Sequence, residues 1–400
     1  MSRNDAPTLY LIDGYAQFFR AYHAIRNPMT SPVTKEPTNM TFGFVGMLLK
    51  LLRGEGRING PPQYVACTLD VSGDHGTFRS RLYPDYKATR PDPPEDLHPQ
   101  VERCIALMTE LGIPILGAEG FEADDVIATL VRTLREQHPD LRIRVISKDK
   151  DLKQLLDTDH VELYDIHHDT VIDTHSLEEE SGIRPDQVID MLALMGDTVD
   201  NVPGVEGVGP KTAAQLIAKY GTLDELLANA DEIKGKRGER IRAATDALAL
   251  SKQLVTLRDD ADVSLDLDDA KVGNLELSRL SPILRELGFN RYQEELKQLL
   301  GGDAEAPAEA GRPNDDGGLF SDSLFASEHE EVRVSGDYWC VKTKDELDDL
   351  VQKLTDAPAF AVDTETTALD PFDAKLAGLS FSVEPGSGWY VPVRSPDASS

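Results

Sequence analysis

The sequence predicts an α/β fold with a mostly parallel sheet in its first half and an all-helical region behind it. Short apolar runs at residues 8–12, 63–69, 113–116 and 143–146 read as buried strands. Between them, residues 15–25, 41–52, 97–111 and 123–135 carry apolar side chains at helical spacing. Alternation of this kind implies strands running side by side with helices on both faces. After about residue 185 the strand pattern stops and helices continue to about 300, interrupted by a Gly-rich turn between Gly204 and Gly209.

The expected organisation is therefore an α/β core over 1–185 and a helical subdomain over 186–300. Residues 301–335 are rich in Gly, Ala, Pro and acid and read as a flexible acidic linker, within which Leu319, Phe320, Leu324 and Phe325 offer docking points. An ordered pattern resumes at 336–400, with strands expected at 359–362 and 376–383. About 65 ordered residues stopping in mid-pattern look like part of a domain, and the chain like the N-terminal portion of something longer.

Composition narrows the class. The chain has 400 residues with 41 Lys+Arg against 71 Asp+Glu, a formal charge of −30, and a pI near 4.6. Residues 1–120 hold 12 basic and 13 acidic residues, whereas 301–400 hold 7 and 21. This balance argues against coating nucleic acid by bulk charge, but leaves room for a local basic groove. Three widely spaced cysteines (Cys67, Cys104, Cys340) exclude a disulfide framework and a CxxC zinc site. With no apolar run near 18 residues and no leader pattern, the expectation is a monomer of the reducing cytoplasm with no membrane partner.

The strongest chemical signal is positional. Asp13 ends the first strand, Asp70 ends the second, and Asp149 and Asp151 follow the fourth. In an open parallel sheet the carboxyl ends of strands form the ligand crevice, so these acids converge. Glu122, Asp124 and Asp125 in FEADD follow the third strand and open a helix, and Asp197 and Asp200 repeat the i, i+3 spacing further on. Any one of these acids alone could be a helix cap or a solvated loop residue. Nine together cannot all ionise at close range without cations. All-oxygen ligands favour two Mg²⁺ or Mn²⁺ ions over zinc, and such a pair suits phosphoryl transfer.

Residues 204–212 (GVEGVGPKT) invite a P-loop reading, but Pro210 separates Gly209 from Lys211 and no strand precedes the turn. The segment instead reads as a helix-hairpin-helix. Gly204, Gly207 and Gly209 would let backbone N–H groups approach a DNA phosphate, with Lys211, Thr212 and Lys219 beside them. Between Phe78 and Arg90, aromatic and basic residues interleave. Tyr83 and Tyr86 are expected to stack on unpaired bases, Arg79, Arg81, Lys87 and Arg90 to neutralise phosphates, and Lys87 to stabilise the scissile phosphate. His167 and His168 lack metal-ligand spacing and are expected in a surface loop; His23 is no candidate base; Met191 and Met195 read as core.

YLIDGYAQFFRAYHA, YKATRP, FEADD, SKDKDLKQLL and GDTVDNVPGVEGVGPKTA, in this order, resemble the 5′ nuclease domain of the flap endonuclease family, as in the N-terminal part of the bacterial DNA polymerase I family. The resemblance spans about residues 7–300. It implies a PIN/flap-endonuclease-like core, an arch at about 77–95, a duplex-binding hairpin and a K⁺ ion there. It carries one metal site to Asp13, Asp70, Glu122, Asp124 and Asp125, a second to Asp149, Asp151, Asp197 and Asp200, and the arch's phosphate-contacting and aromatic places to Lys87, Arg90 and Tyr86. Residues 359–370 (AFAVDTETTALD) resemble the first motif of an RNase H-like 3′–5′ exonuclease, with Asp363 and Glu365 as ligands of an incomplete site.

The implied activity is 5′–3′ exonuclease and flap cleavage of 5′ flaps, nicked or gapped duplexes and RNA-primed ends in replication and repair. The parent protein would also be a DNA-directed DNA polymerase. The alternatives are a non-catalytic branched-DNA-binding module and 3′–5′ trimming by the C-terminal piece.

Overall fold

The computed structural model describes residues 6–300, apart from Arg26, Asn27, Asn59, Asp74 and Asp92, and 337–393, apart from Lys342, Pro358, 367–375, Pro385 and Gly386. The expected linker at 301–335, with Leu319, Phe320, Leu324 and Phe325, lies outside the described residues. Two compact units fall within 1–327 and 328–400.

The first unit opens with β1 (Thr8–Asp13), α1 (Gly14–Ala24), α2 (Asn39–Arg53), β2 (Tyr64–Thr68), α3 (Phe78–Leu82), α4 (Leu97–Leu111), β3 (Ile115–Leu116), α5 (Ala123–Gln137) and β4 (Arg142–Ile146). Then come β5 (Val161–Asp165), β6 (Thr170–Ile172) and α6 (Thr174–Ser181). The sheet order is β3-β2-β1-β4-β5-β6. All pairs are parallel except β5–β6. The chain winds outward from β1 through β2 and β3, then returns to place β4 on β1's other side. That reversal puts a crevice at the carboxyl ends of β1 and β4, where Ile12 pairs with Ile146.

Period-2 alternation divides the core between the two faces of the sheet. Leu9, Leu11, Ile143, Val145 and Leu163 pack toward α5 and the helical region. Tyr10, Ile12, Val65, Cys67, Ile146 and Tyr164 pack toward α1, α2 and α4. With both faces covered, the central strands read as unbroken apolar runs. Asp13 caps α1 by accepting from the Ala16 N–H (3.4 Å), so the last residue of β1 also starts the next helix.

Strands β5 and β6 were not expected. Polar residues interrupt both, and β6 is only three residues long, so neither shows an apolar run. Strand β3 is shorter than the expected 113–116, ordering only Ile115–Leu116. His167, expected on a surface loop, is buried beside Gln17 (3.2 Å). Burial is the main reason its imidazole pKa is lowered to about 3. His168 does remain on the surface, paired with Asp165 at 2.7 Å.

The remainder of this unit is helical: α7 (Val188–Met195), α8 (Pro210–Tyr220), α9 (Leu223–Ala228), α10 (Lys236–Ala243), α11 (Thr245–Val255), α12 (Leu280–Glu286) and α13 (Asn290–Leu299). Helix α7 packs on α8 and α11; Met191 is buried and Met195 packs against the same core. Pro210 occupies the first turn of α8, where its missing N–H costs nothing.

The second unit contains β7 (Asp337–Cys340), α14 (Lys344–Asp356), β8 (Ala361–Thr366), β9 (Leu376–Ser382) and β10 (Ser387–Pro392), with sheet order β7-β10-β9-β8. Strand β8 starts two residues later than expected. Asp363 is exposed, its carboxylate accepting from the Thr364 N–H (2.8 Å); the Glu365 side chain lies outside the described residues. Among the described residues no helix is long and apolar enough to cross a membrane.

Candidate active site

The acids gather on both sides of the β1–β4 crevice. Asp13 is 5% exposed, and its Oδ2 accepts from the Ser147 hydroxyl at 2.9 Å. Ser147 in turn accepts from the Asp149 N–H (3.1 Å), so one hydroxyl ties the ends of the two central strands together. Asp70, just past β2, accepts from the Ala123 N–H at 2.6 Å and so anchors the first turn of α5, which carries Asp124. Asp149 accepts from the Asp151 N–H (2.8 Å).

Crowding shows in the proton affinities. Burial, then the charge of Asp149, raises the Asp13 carboxyl from 3.8 to about 7. Burial and Asp149 also raise Asp151 to about 7. Asp124 rises well above its ordinary value through burial and the charges of Asp149, Asp13, Asp151 and Asp70. Asp149, though solvent still reaches it, rises by desolvation, with Asp200 and Asp197 adding repulsion.

Asp197 and Asp200 stand on the loop between α7 and α8, which also carries the hairpin glycines. A short bridge between Asp197 and Val202 closes this turn. Asp197 accepts from the Val199 N–H at 2.7 Å and pairs with Lys150. That pairing overcomes desolvation and lowers its pKa.

The expected arch is a short helix, α3, followed by turns whose basic residues lie on these acids. Lys87 is 8% exposed and donates to Glu122 Oε1 at 2.9 Å. Burial disfavours its charge, but the Glu122 carboxylate more than compensates, so its pKa stays raised. The Lys87 backbone has φ 58° and its N–H donates to the Asp200 carbonyl (2.9 Å). Arg90 donates to Asp200 Oδ1 (2.6 Å).

Tyr86, expected to stack on a base, is only 3% exposed. Its hydroxyl donates to Glu122 Oε2 (3.2 Å) and reaches Asp200 Oδ2 (3.4 Å), linking the two groups of acids. Arg79, expected on a phosphate, is 2% exposed and paired with Asp125. Asp125, expected as a metal ligand, is 0% exposed and bonded through both oxygens to that arginine. Arg81 stays exposed and donates to the Thr77 and Gly76 carbonyls.

The turn expected as a DNA-binding hairpin joins α7 to α8. Gly207 has φ 78°, a left-handed conformation that favours glycine. A Cβ at Gly204 would lie 2.4 Å from the Met195 carbonyl oxygen. Lys211 and Lys219 are exposed on α8 and Thr212 is half-buried; nothing lies within 4 Å of a Cβ placed at Gly209. Arg240 staples the turn to α10 through the Glu206 carbonyl (3.2 Å) and carboxylate (3.0 Å).

Sequence reasoning missed Ser147, Lys150, Arg240 and Arg237. Arg237 helps line a groove of about 270 Å³ with Thr212, Gln215, Lys219 and Tyr220. Ser147 and Lys150 were both visible inside SKDKD, and Arg237 and Arg240 within the basic run KGKRGER.

The donor set fits hard divalent cations: every candidate ligand is a carboxylate, and Asp151 Oδ1 is shielded from solvent with no hydrogen-bond partner. Among the described residues no three His, Cys, Asp or Glu side chains are already gathered around one point. Lys87, Arg90 and Lys150 hold Glu122, Asp200 and Asp197.

Residues 8–182 match the 5′–3′ exonuclease N-terminal resolvase-like domain, 183–277 the 5′–3′ exonuclease C-terminal SAM fold, and 338–397 a 3′–5′ exonuclease family. A 5′–3′ exonuclease of Aquifex aeolicus is 35% identical over 73% of this chain and 96% of its own length. DNA polymerase I of Chloroflexus aurantiacus is 37% identical over 97% of this chain and 42% of its own length. The chain thus spans about two fifths of that polymerase. The T5 D15 protein, co-crystallised with metal ions, shares the fold, with TM-score 0.50 at 19% identity over 74% of this chain and 98% of its own. With both halves of the nuclease matched in order and the start of a 3′–5′ exonuclease domain behind them, the chain belongs to the 5′–3′ exonuclease family in its bacterial DNA polymerase I form.

Proposed function

We propose that this chain is a divalent-metal-dependent 5′ nuclease that cuts DNA at 5′ flaps, nicks, gaps and RNA-primed ends, leaving a 5′-phosphate and a 3′-hydroxyl. The observation that carries the proposal is the crevice at the ends of β1 and β4, where Asp13, Asp124 and Asp151 crowd with the more exposed Asp149 and desolvation and neighbouring carboxylates raise their pKa values. Such a set gains most from cations.

Asp13, Asp70, Glu122 and Asp124 would hold one Mg²⁺ or Mn²⁺, and Asp149, Asp151, Asp197 and Asp200 the other. When bound, the ions supply a hydroxide nucleophile at neutral pH and neutralise charge on the phosphate. Lys87, already at the crevice, is placed to exchange Glu122 for a phosphate oxygen and stabilise charge developing there. Arg90, more exposed, is placed to exchange Asp200 for a phosphate oxygen in the same way. Tyr86 keeps its phenolic proton and donates it as a hydrogen bond to Glu122. The hairpin N–H groups, Lys211 and Lys219 grip the duplex backbone without reading sequence, with K⁺ at that turn. Action as a cytoplasmic monomer, within a longer protein that also polymerises DNA, belongs to the same proposal.

The test is a 5′-labelled flap duplex incubated with the chain in Mg²⁺ and in EDTA, with the product end mapped. A metal-dependent cut near the flap junction is expected. Tight flap binding without a cut in Mg²⁺ or Mn²⁺ would make the chain a branched-DNA-binding module.

A further inference from the structure

Asp125 is surrounded by donors. Its Oδ1 accepts from Arg79 Nη2 (2.9 Å) and the Arg258 N–H (2.9 Å). Its Oδ2 accepts from Arg79 Nη1 (2.6 Å) and the Glu122 N–H (3.1 Å). An ionised carboxylate offers about four lone-pair sites. All four are taken, two of them in a fork-to-fork guanidinium pair. No oxygen is left for an ion, and at 0% exposure none can reach it.

The arginine is equally committed. Arg79 Nε donates to the Leu254 carbonyl (2.7 Å) and Nη2 to the Thr256 carbonyl (3.2 Å). The Arg258 guanidinium lies over Phe78 (5.1 Å) and Phe121 (4.9 Å), sealing the pair. The same stretch after α11 also holds the turn that follows the other acids: Gln154 donates to the Val255 carbonyl (3.0 Å) and accepts from the Leu257 N–H (3.1 Å). Further along, the Ala261 N–H donates to Thr129 on α5 (3.1 Å). Three pieces therefore meet at one buried ion pair: the root of the arch, the first turn of α5 with Glu122 and Asp124, and the segment at 254–258, which in turn holds the turn after Asp151 through Gln154.

We infer that Arg79 and Asp125 form a positioning pair, not a phosphate contact and a metal ligand. Together they set where Glu122 and Asp124 stand relative to Lys87 and the acids across the crevice. The inference rests on the nuclease reading above only for its kinetic arm.

The experiment compares Arg79→Lys, Arg79→Met, Asp125→Asn and the double variant Arg79→Met/Asp125→Asn in the full chain. Mn²⁺ binding is titrated calorimetrically without DNA, thermal melts are recorded, and kcat and KM are measured on the flap duplex. Positioning predicts parental Mn²⁺ stoichiometry in every variant. It predicts kcat lowered about 10- to 100-fold, as for other residues that orient ligands, with KM unchanged. Arg79→Lys, which keeps the charge but not the fork, should fall with the others. The double variant should melt above either Arg79→Met or Asp125→Asn, because it leaves no uncompensated buried charge. Loss of one Mn²⁺ in Asp125→Asn but not in Arg79→Met would overturn the inference, as would parental kcat in Arg79→Lys. If the parent chain does not cut the flap, the nuclease reading fails while the Mn²⁺ and melting arms still decide this one.

Discussion

Replacing Asp13 with Asn isolates the electrostatic tension in the crevice. The Asp13 carboxyl is raised from 3.8 to about 7, first by burial and then by Asp149. A carboxyl raised in the folded state binds its proton more tightly there, so its stabilising contribution is full below the unfolded value and is lost as pH rises through the folded one. The gap is about three units at 1.36 kcal/mol each, or about 4 kcal/mol lost between about pH 4 and pH 8. Asparagine carries no charge and keeps one carbonyl oxygen, so it gives up one of the acceptors that serve Ala16 and Ser147, costing about 1 kcal/mol. In EDTA near pH 8 the variant should therefore be more stable than the parent by about 3 kcal/mol. At about 2–4 °C per kcal/mol for a large domain, that is a rise of about 6–12 °C in Tm. Near pH 4 the difference should vanish or reverse. Saturating Mg²⁺ should restore the parent's advantage, since only the parent keeps all its ligands and gains the full binding energy. Circular-dichroism melts at both pH values, with and without metal, make the measurement. A variant that melts below the parent in EDTA at both pH values refutes the repulsion account of this site.

Three further outcomes follow from the geometry. Lys87→Met should lower flap cleavage about 10²- to 10³-fold, the usual loss for a donor aimed at developing charge; unchanged kcat would remove Lys87 from the reaction. Lys211→Ala with Lys219→Ala should flatten the log–log salt dependence of duplex affinity by about 1.8, from about 0.9 per lost phosphate contact. An unchanged slope in a filter-binding titration would place the duplex elsewhere. Gly204→Ala would force a Cβ to 2.4 Å from the Met195 carbonyl oxygen; a loss of about 1–3 kcal/mol in chemical denaturation is expected, and a parental midpoint would show that the loop yields without cost.

Much of the site was legible because a strand end is a local feature with a global consequence. Asp13 and Asp70 close apolar runs, and winding parallel strands around β1 brings such ends to one edge whatever the intervening helices contain. The hairpin was legible for a similar reason, since glycine spacing and Pro210 restrict the backbone before any packing. Strands β5 and β6 were hidden because their pairing with each other and with β4, not their hydrophobicity, makes them strands.

Sequence by itself determined the alternation of strands and helices, the candidate carboxylates and the glycine turn, because each depends on short-range periodicity or on backbone constraint. Tertiary structure alone decided which acids face the crevice. Asp124 and Asp125 are neighbours in FEADD, yet successive residues on a helix point about 100° apart; one feels the charges of Asp149 and Asp13 and the other pairs with Arg79. The burial of Tyr86, Arg79 and His167 was hidden for the same reason. A polar side chain looks solvent-facing in sequence until distant segments (here Glu122 with Asp200, Asp125 with Leu254, and Gln17) supply the partners that make its burial affordable.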